Sequence, residues 1–201
     1  MNNYLVVDDI KIVPESFIGK DGVKAVEERF TDKIYNQDYR YKISYINEKK
    51  SDNTITVIMF KSGPGSIHEE DSTIERLKNY FIKNDEQNFS KLNIVNLFAH
   101  VSNKLNEFNN INDKFEHINK TIIKKVIEES HEILIAWGHD KKRIKKHIDK
   151  IAEVEELIDF KKQTVSCYNR NNNLAHILKV KLDSKRDVYY KGQMRDAIDQ
   201  N

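Results

Sequence analysis

Apolar residues are distributed along the chain in runs of two different periods. Residues 41–47 and 54–60 are rich in β-branched and aromatic side chains and flank the polar stretch 48–53, which predicts two strands joined by a hairpin turn. Toward its end the second run becomes continuously apolar, as a strand buried on both faces would. Ser62-Gly63-Pro64-Gly65-Ser66 then breaks it. Ser72-Thr73-Ile74-Glu75 has the spacing of a capping box, and Ile74, Leu77 and Phe81 fall on one helical face after it. Residues 92–98 predict a second buried strand. Asp113 can cap a helix whose inward face is Phe115, Ile118, Ile122 and Val126.

Residues 132–137 form a third apolar run, closed by Gly138. A basic helix is expected from about His139, with Ile144, Ile148 and Ile151 inward and an extension toward Leu157, followed by a fourth strand over 163–168. Strands alternating with helices predict right-handed crossovers. The expected fold is therefore α/β: a three-layer sandwich around a central, mostly parallel sheet of four or five strands. Residues 1–38, with a short helix over 23–30, are read as an N-terminal elaboration. Residues 39–183 are read as the core domain, and 184–201 as a C-terminal extension ending in another strand or helix.

Composition narrows the chemistry. The 201 residues carry 34 basic and 32 acidic side chains, so the formal charge is only +2. That balance disfavours a diffuse polyanion binder, which needs a large positive surplus. The single cysteine, Cys167, excludes an internal disulfide and a Cys-rich zinc site. No signal-like start and no stretch of ~18 apolar residues is present, so a cytoplasmic location without membrane contact is expected.

In a parallel sheet, ligands sit beyond the carboxyl ends of the strands, which here means the loops after Phe60, Phe98, Trp137 and Tyr168. The loop Lys61, Ser62, Gly63, Gly65, Ser66 can present backbone amides to a phosphate, or can simply be a tight turn. It lacks the ending of a P-loop, and no GxGxxG follows any strand. Asn96 inside an apolar strand either reads a base edge or is a paired core asparagine. Trp137 either anchors the core or stacks on a ligand. Lys141, Lys142, Arg143, Lys145 and Lys146 either grip successive phosphates or form a solvated helix face. Glu70 and Asp71 either position a water or are dipole partners of the following helix. No histidine pattern marks a metal site, and no cofactor is expected.

Taken together, Tyr39-Arg40-Tyr41, Val57-Ile58-Met59-Phe60, Asp71-Ser72-Thr73-Ile74, Asn96-Leu97-Phe98-Ala99, Ala136-Trp137-Gly138 and His176 resemble an uncharacterised family of small bacterial and phage proteins. The resemblance runs over roughly residues 39–180. That family is in turn similar in layout to the uracil-DNA glycosylase superfamily. There a strand enters a water-activating loop, a later strand carries a base-reading asparagine, a strand ending in Trp-Gly precedes a basic helix, and a late histidine contacts the flipped nucleotide. By position the resemblance implies catalytic roles for Asn96 and His176, with Phe98 packing on the base. Two departures stand out: Lys61-Ser62 replaces the family's Asn-Pro, and Ile177 replaces the proline after the histidine. The expected function is nucleic-acid or nucleotide binding, with DNA or a nucleotide as partner, extending to glycosylase-like hydrolysis of a modified base. The alternatives are an inactive interaction module with a protein partner, in a phage or host-defence context, and an enzyme acting on free nucleotides.

Overall fold

A strand buried along its whole length needs hydrogen-bonding partners on both edges. Strand β7 (Lys91–Val101) is such a strand, with every residue but the first and last buried. It pairs in parallel with β6 (Thr54–Ser62) and antiparallel with β5 (Gln37–Ile46). The structure, a computed structural model, describes residues 5–7, 10–34, 37–102, 113–138, 140–170, 173–174 and 181–199.

The expected hairpin between residues 41–47 and 54–60 does not form, because β7 lies between them. Its entry is gripped from both sides: Asn47 N–H donates to the Ser90 carbonyl at 2.8 Å, and Ser90 N–H donates to the Asn53 carbonyl at 2.9 Å. Strands β8 (Glu132–Ala136) and β9 (Thr164–Cys167) extend the sheet in parallel beyond β6. Antiparallel strands complete both wings. On one side β4 (Lys24–Asp32) and β3 (Glu15–Ile18) follow β5, and on the other β12 (Asp187–Val188) follows β9.

The result is one eight-stranded mixed sheet, ordered β12-β9-β8-β6-β7-β5-β4-β3, in which antiparallel pairings outnumber parallel ones four to three. This corrects the expectation of a mostly parallel sheet of four or five strands. Strand–helix alternation identified the β6–β9 segment. It could not reveal strands contributed by the N-terminal residues, where the helix expected over 23–30 is replaced by β4 from Lys24 onward. Two short hairpins stand apart, β1 (Leu5–Val7) with β2 (Ile10–Ile12) and β10 (Asn169–Arg170) with β11 (Asn173–Leu174).

Helices cover both faces. Helix α1 (Ser72–Lys78), continued by a π-helical turn over Asn79–Lys83, buries Ile74, Leu77, Phe81 and Ile82 against Val57, Met59 and Ile94. On the other face α2 (Asp113–Glu128), α3 (Lys141–Lys146), α4 (Ile148–Glu155) and α5 (Gln193–Asp199) pack on Ile58, Val95, Ile135 and Trp137. The basic helix is not continuous, since it breaks at His147 between α3 and α4. A third cluster joins Ile12 of β2 to Tyr39, Tyr41, Phe115 and Ile118.

Helix α2 is tied to the sheet by a polar residue as well as by its apolar face. Asn119 is fully buried, and its Nδ2 donates to the Asn96 carbonyl at 3.0 Å and the Leu97 carbonyl at 3.1 Å. Removing the amide leaves two carbonyls without this donor in a dry interior. Asn119→Leu is expected to cost about 1–3 kcal/mol. Urea unfolding followed through the fluorescence of Trp137, the only tryptophan and fully buried, measures it.

Candidate functional site

Three breaks in strand register converge near the carboxyl end of β6. The β4–β5 register shifts between Glu28 and Arg29, opposite Arg40. The β5–β7 pairing is interrupted between Tyr39 and Ile43, and the β6–β7 pairing between Lys61 and Ser62. Irregularities of this kind re-aim side chains and recur beside functional sites. Here they gather Arg40, Ser62 and Asn96. The Asn96 Nδ2 donates to Ser62 Oγ at 2.9 Å, and Ser62 Oγ donates to the Arg40 carbonyl at 3.1 Å. All three residues are buried.

The Arg40 side chain reaches under the loop that follows β6. Its Nη1 donates to the Gly65 carbonyl, while Nη2 and the Asn96 Oδ1 are buried without a hydrogen-bond partner among the described residues. Glu27 of β4, also buried, accepts the Ile67 N–H at 3.4 Å. Burial holds the Glu27 carboxyl above its ordinary range, and Arg40 opposes this only in part. Desolvation likewise lowers the Arg40 guanidinium, against the pull of Glu27 and Asp71.

The loop is closed on itself. A side chain at Gly65 would come within 2.9 Å of the Asp71 N and the Glu69 carbonyl, and one at Gly63 within 3.0 Å of Asp71 Oδ2, so the glycines permit a close approach. Ser66 Oγ accepts from the amides of His68 and Glu69, and the Ser66 N–H donates to the Glu69 carbonyl at 3.0 Å, so the end of the loop turns on itself. Asp71, not Ser72, caps α1, accepting from Thr73 N and Ile74 N at 3.0 Å. Glu70 accepts from Tyr45 Oη at 2.8 Å and from Lys78 Nζ at 2.5 Å. Burial and the Glu70 carboxylate push the Tyr45 phenol well above its usual range.

Of the other expected site residues, Phe98 and Trp137 lie on the opposite face of the sheet from α1. Asn96 is in register with Met59, whose side chain belongs to the core under α1. Phe98 and Trp137 belong instead to the core under α2–α5. Phe98 packs on Phe60 at 5.4 Å and on His147 at 4.9 Å, and Trp137 sits edge-on to Tyr189 at 5.9 Å. Burial, Lys146 and Arg143 lower the His147 pKa. Lys61 Nζ donates to the Ser102 carbonyl at 2.6 Å.

Helix α3 begins just beyond β8 and is capped by Asp140. Its Arg143 guanidinium lies 4.9 Å over the Phe60 ring, while Lys142, Lys145 and Lys146 are exposed. Lys141 opens the helix, and its side chain falls outside the described residues, as does His176. Among the described residues no group of His, Cys, Asp or Glu is placed to hold a metal, and no helix is long and apolar enough to cross a membrane.

Residues 40–178 match a family described as "protein of unknown function (DUF1643)". The chain belongs to this family. The DUF1643 span begins at Arg40 itself and contains Ser62, Asp71, Asn96 and Trp137, whereas Glu27 comes from a strand that precedes it. No curated protein and no solved structure matches the chain significantly.

Arg40 and Glu27 were not singled out as site residues from the sequence. Arg40 carried a signal, a charged residue inside an aromatic, strand-like run. Glu27 carried none, because its segment read as helix. Glu27 keeps Arg29 at 3.8 Å, but Arg40 is its larger electrostatic counterweight, so Arg40→Met is expected to cost about 1–3 kcal/mol and Arg40→Met with Glu27→Leu to recover part of it. Glu27 has a folded-state pKa above its unfolded one, so its protonation favours the folded state. The Arg40→Met deficit should therefore shrink as pH falls from neutrality toward the ordinary carboxyl range. Urea unfolding of the three proteins across that window checks both statements.

Proposed function

We propose that this DUF1643 protein binds nucleic acid through its phosphate backbone, with α3 as the principal contact. The observation that carries the reading is the disposition of Lys142, Lys145 and Lys146. They stand exposed at three- and four-residue spacing on a helix that starts at the carboxyl end of β8. Lys142 and Lys145 make no salt bridge with a described carboxylate. Arg143, stacked on Phe60 and 3.6 Å from Asp140, anchors the helix and is not part of this exposed row.

The resemblance to the uracil-DNA glycosylase layout points the same way, since there too a basic helix follows the strand ending in Trp-Gly. Hydrolysis is not part of the proposal. Glu70 is held by Tyr45 and Lys78, and Asp71 caps α1, so both carboxylates serve the loop's own structure. Asn96, with its amide on Ser62, is assigned a supporting role beneath the loop.

Binding of short single- and double-stranded oligonucleotides, followed by fluorescence anisotropy over a range of salt, tests the proposal. The affinity should fall steeply with salt. Lys142→Ala with Lys145→Ala should flatten the log–log slope by about two units, one per lost phosphate contact. Asn96→Ala should leave that slope unchanged. Salt-independent binding, or none to any oligonucleotide, refutes the reading.

A further inference from the structure

Strand β3 is a terminal strand of the eight-stranded sheet, and all four of its residues are exposed. It lies before the DUF1643 span, in a segment with a marked apolar surface. Val6, Val13, Phe17, Ile18 and Ile34 are five of the seven exposed large hydrophobics among the described residues. Phe17 is 46% and Ile18 67% exposed. An apolar edge that no described strand pairs with is a template for another strand.

The hydrogen-bond phase of β3 determines which strand fits. Gly19 N–H donates to the Val23 carbonyl at 2.9 Å, and the register places Phe17 opposite Ala25 and Glu15 opposite Glu27. Because bonded pairs alternate along an antiparallel ladder, Phe17 and Glu15 direct their main-chain groups to β4. Ser16 and Ile18 direct theirs outward.

We infer that a second copy of this chain pairs with that edge, β3 against β3, antiparallel about a two-fold axis through Phe17. In this register Ser16 of one protomer and Ile18 of the other exchange N–H···O bonds, and the symmetry repeats the exchange. Phe17 meets its own counterpart at a non-bonded position, where side chains approach most closely and aromatic pairs are favoured. Glu15 falls opposite Gly19, so no like charges oppose each other.

The neighbouring two-fold registers are poorer. One centred on Ser16 asks Pro14 for a donor that it lacks, and one centred on Ile18 asks Lys20, already in the turn, to behave as strand. The opposite edge of the sheet, β12, is only two residues long and offers no comparable ladder.

Sedimentation velocity over micromolar to millimolar protein tests the inference. A concentration-dependent monomer–dimer equilibrium is expected. Ile18→Pro deletes an outward N–H while leaving the bonds of Phe17 to β4 in place, and the symmetry removes that bond twice. It should weaken self-association about tenfold or more. Phe17→Asp, a surface change that spares the backbone, should do the same. Val188→Asp on the opposite edge should leave the equilibrium unchanged. Circular dichroism verifies that each variant keeps its strands. A monomer at every concentration, a dimer unaffected by both Ile18→Pro and Phe17→Asp, or one weakened by Val188→Asp overturns the inference.

Discussion

The burial of Arg40 is the constraint on which the rest of the α1 face depends. A guanidinium inside a sheet must be answered by polar partners, or its desolvation dominates. Here the answers come from three directions: the Gly65 carbonyl from the loop above, Glu27 from the neighbouring strand, and Asp71 through its field. Each answer in turn fixes something else. Gly65 sits where only a glycine fits, so the loop must take a close turn over Asp71. Glu27 takes the Ile67 amide, which holds the far side of the same loop. The backbone of Arg40 accepts from Ser62, and through Ser62 it reaches Asn96.

This explains the three register breaks. A regular ladder through β4, β5, β6 and β7 would alternate side chains across the sheet. It would not bring Arg40, Ser62 and Asn96 to one place. The shifts at Glu28/Arg29, Tyr39/Ile43 and Lys61/Ser62 re-aim those side chains. The Nδ2 of Asn119 caps the Asn96 and Leu97 carbonyls just where β7 leaves regular alternation.

How much of this was legible in the sequence depended on whether a local pattern carried it. The buried strands β6, β7 and β8 declared themselves as apolar runs, and α2 by its periodicity. Strand β4 did not: Lys24–Asp32 interleaves Glu27, Glu28 and Arg29 with its apolar residues, and only the partner strand makes Glu27 an inward position. The order of strands was equally hidden. The polar stretch 48–53 looks like a hairpin turn, and nothing local says that Ser90 will enter between its two ends. Of the expected site, Ser62, Gly63, Gly65, Asp71 and Asn96 do gather. Phe98 and Trp137 face the other side of the sheet, Phe98 packed on Phe60 and Trp137 edge-on to Tyr189.

The same network also fixes the loop that follows β6. Asn96 is buried with its Nδ2 on Ser62, at the root of the loop between β6 and α1. That loop is anchored by the Arg40–Gly65 bond, by the clamp of Tyr45 and Lys78 on Glu70, and by the Asp71 cap. Lifting it would also leave the Arg40 charge without its loop partner in a low-dielectric interior, at a cost of several kcal/mol. Surface contacts carry no such penalty. The α3 cations already face solvent, and their helix is held to the sheet independently by Ile144 in the core and Arg143 on Phe60. The α3 cations therefore stand apart from the buried network, and the rigidity of the loop belongs to the α1 face.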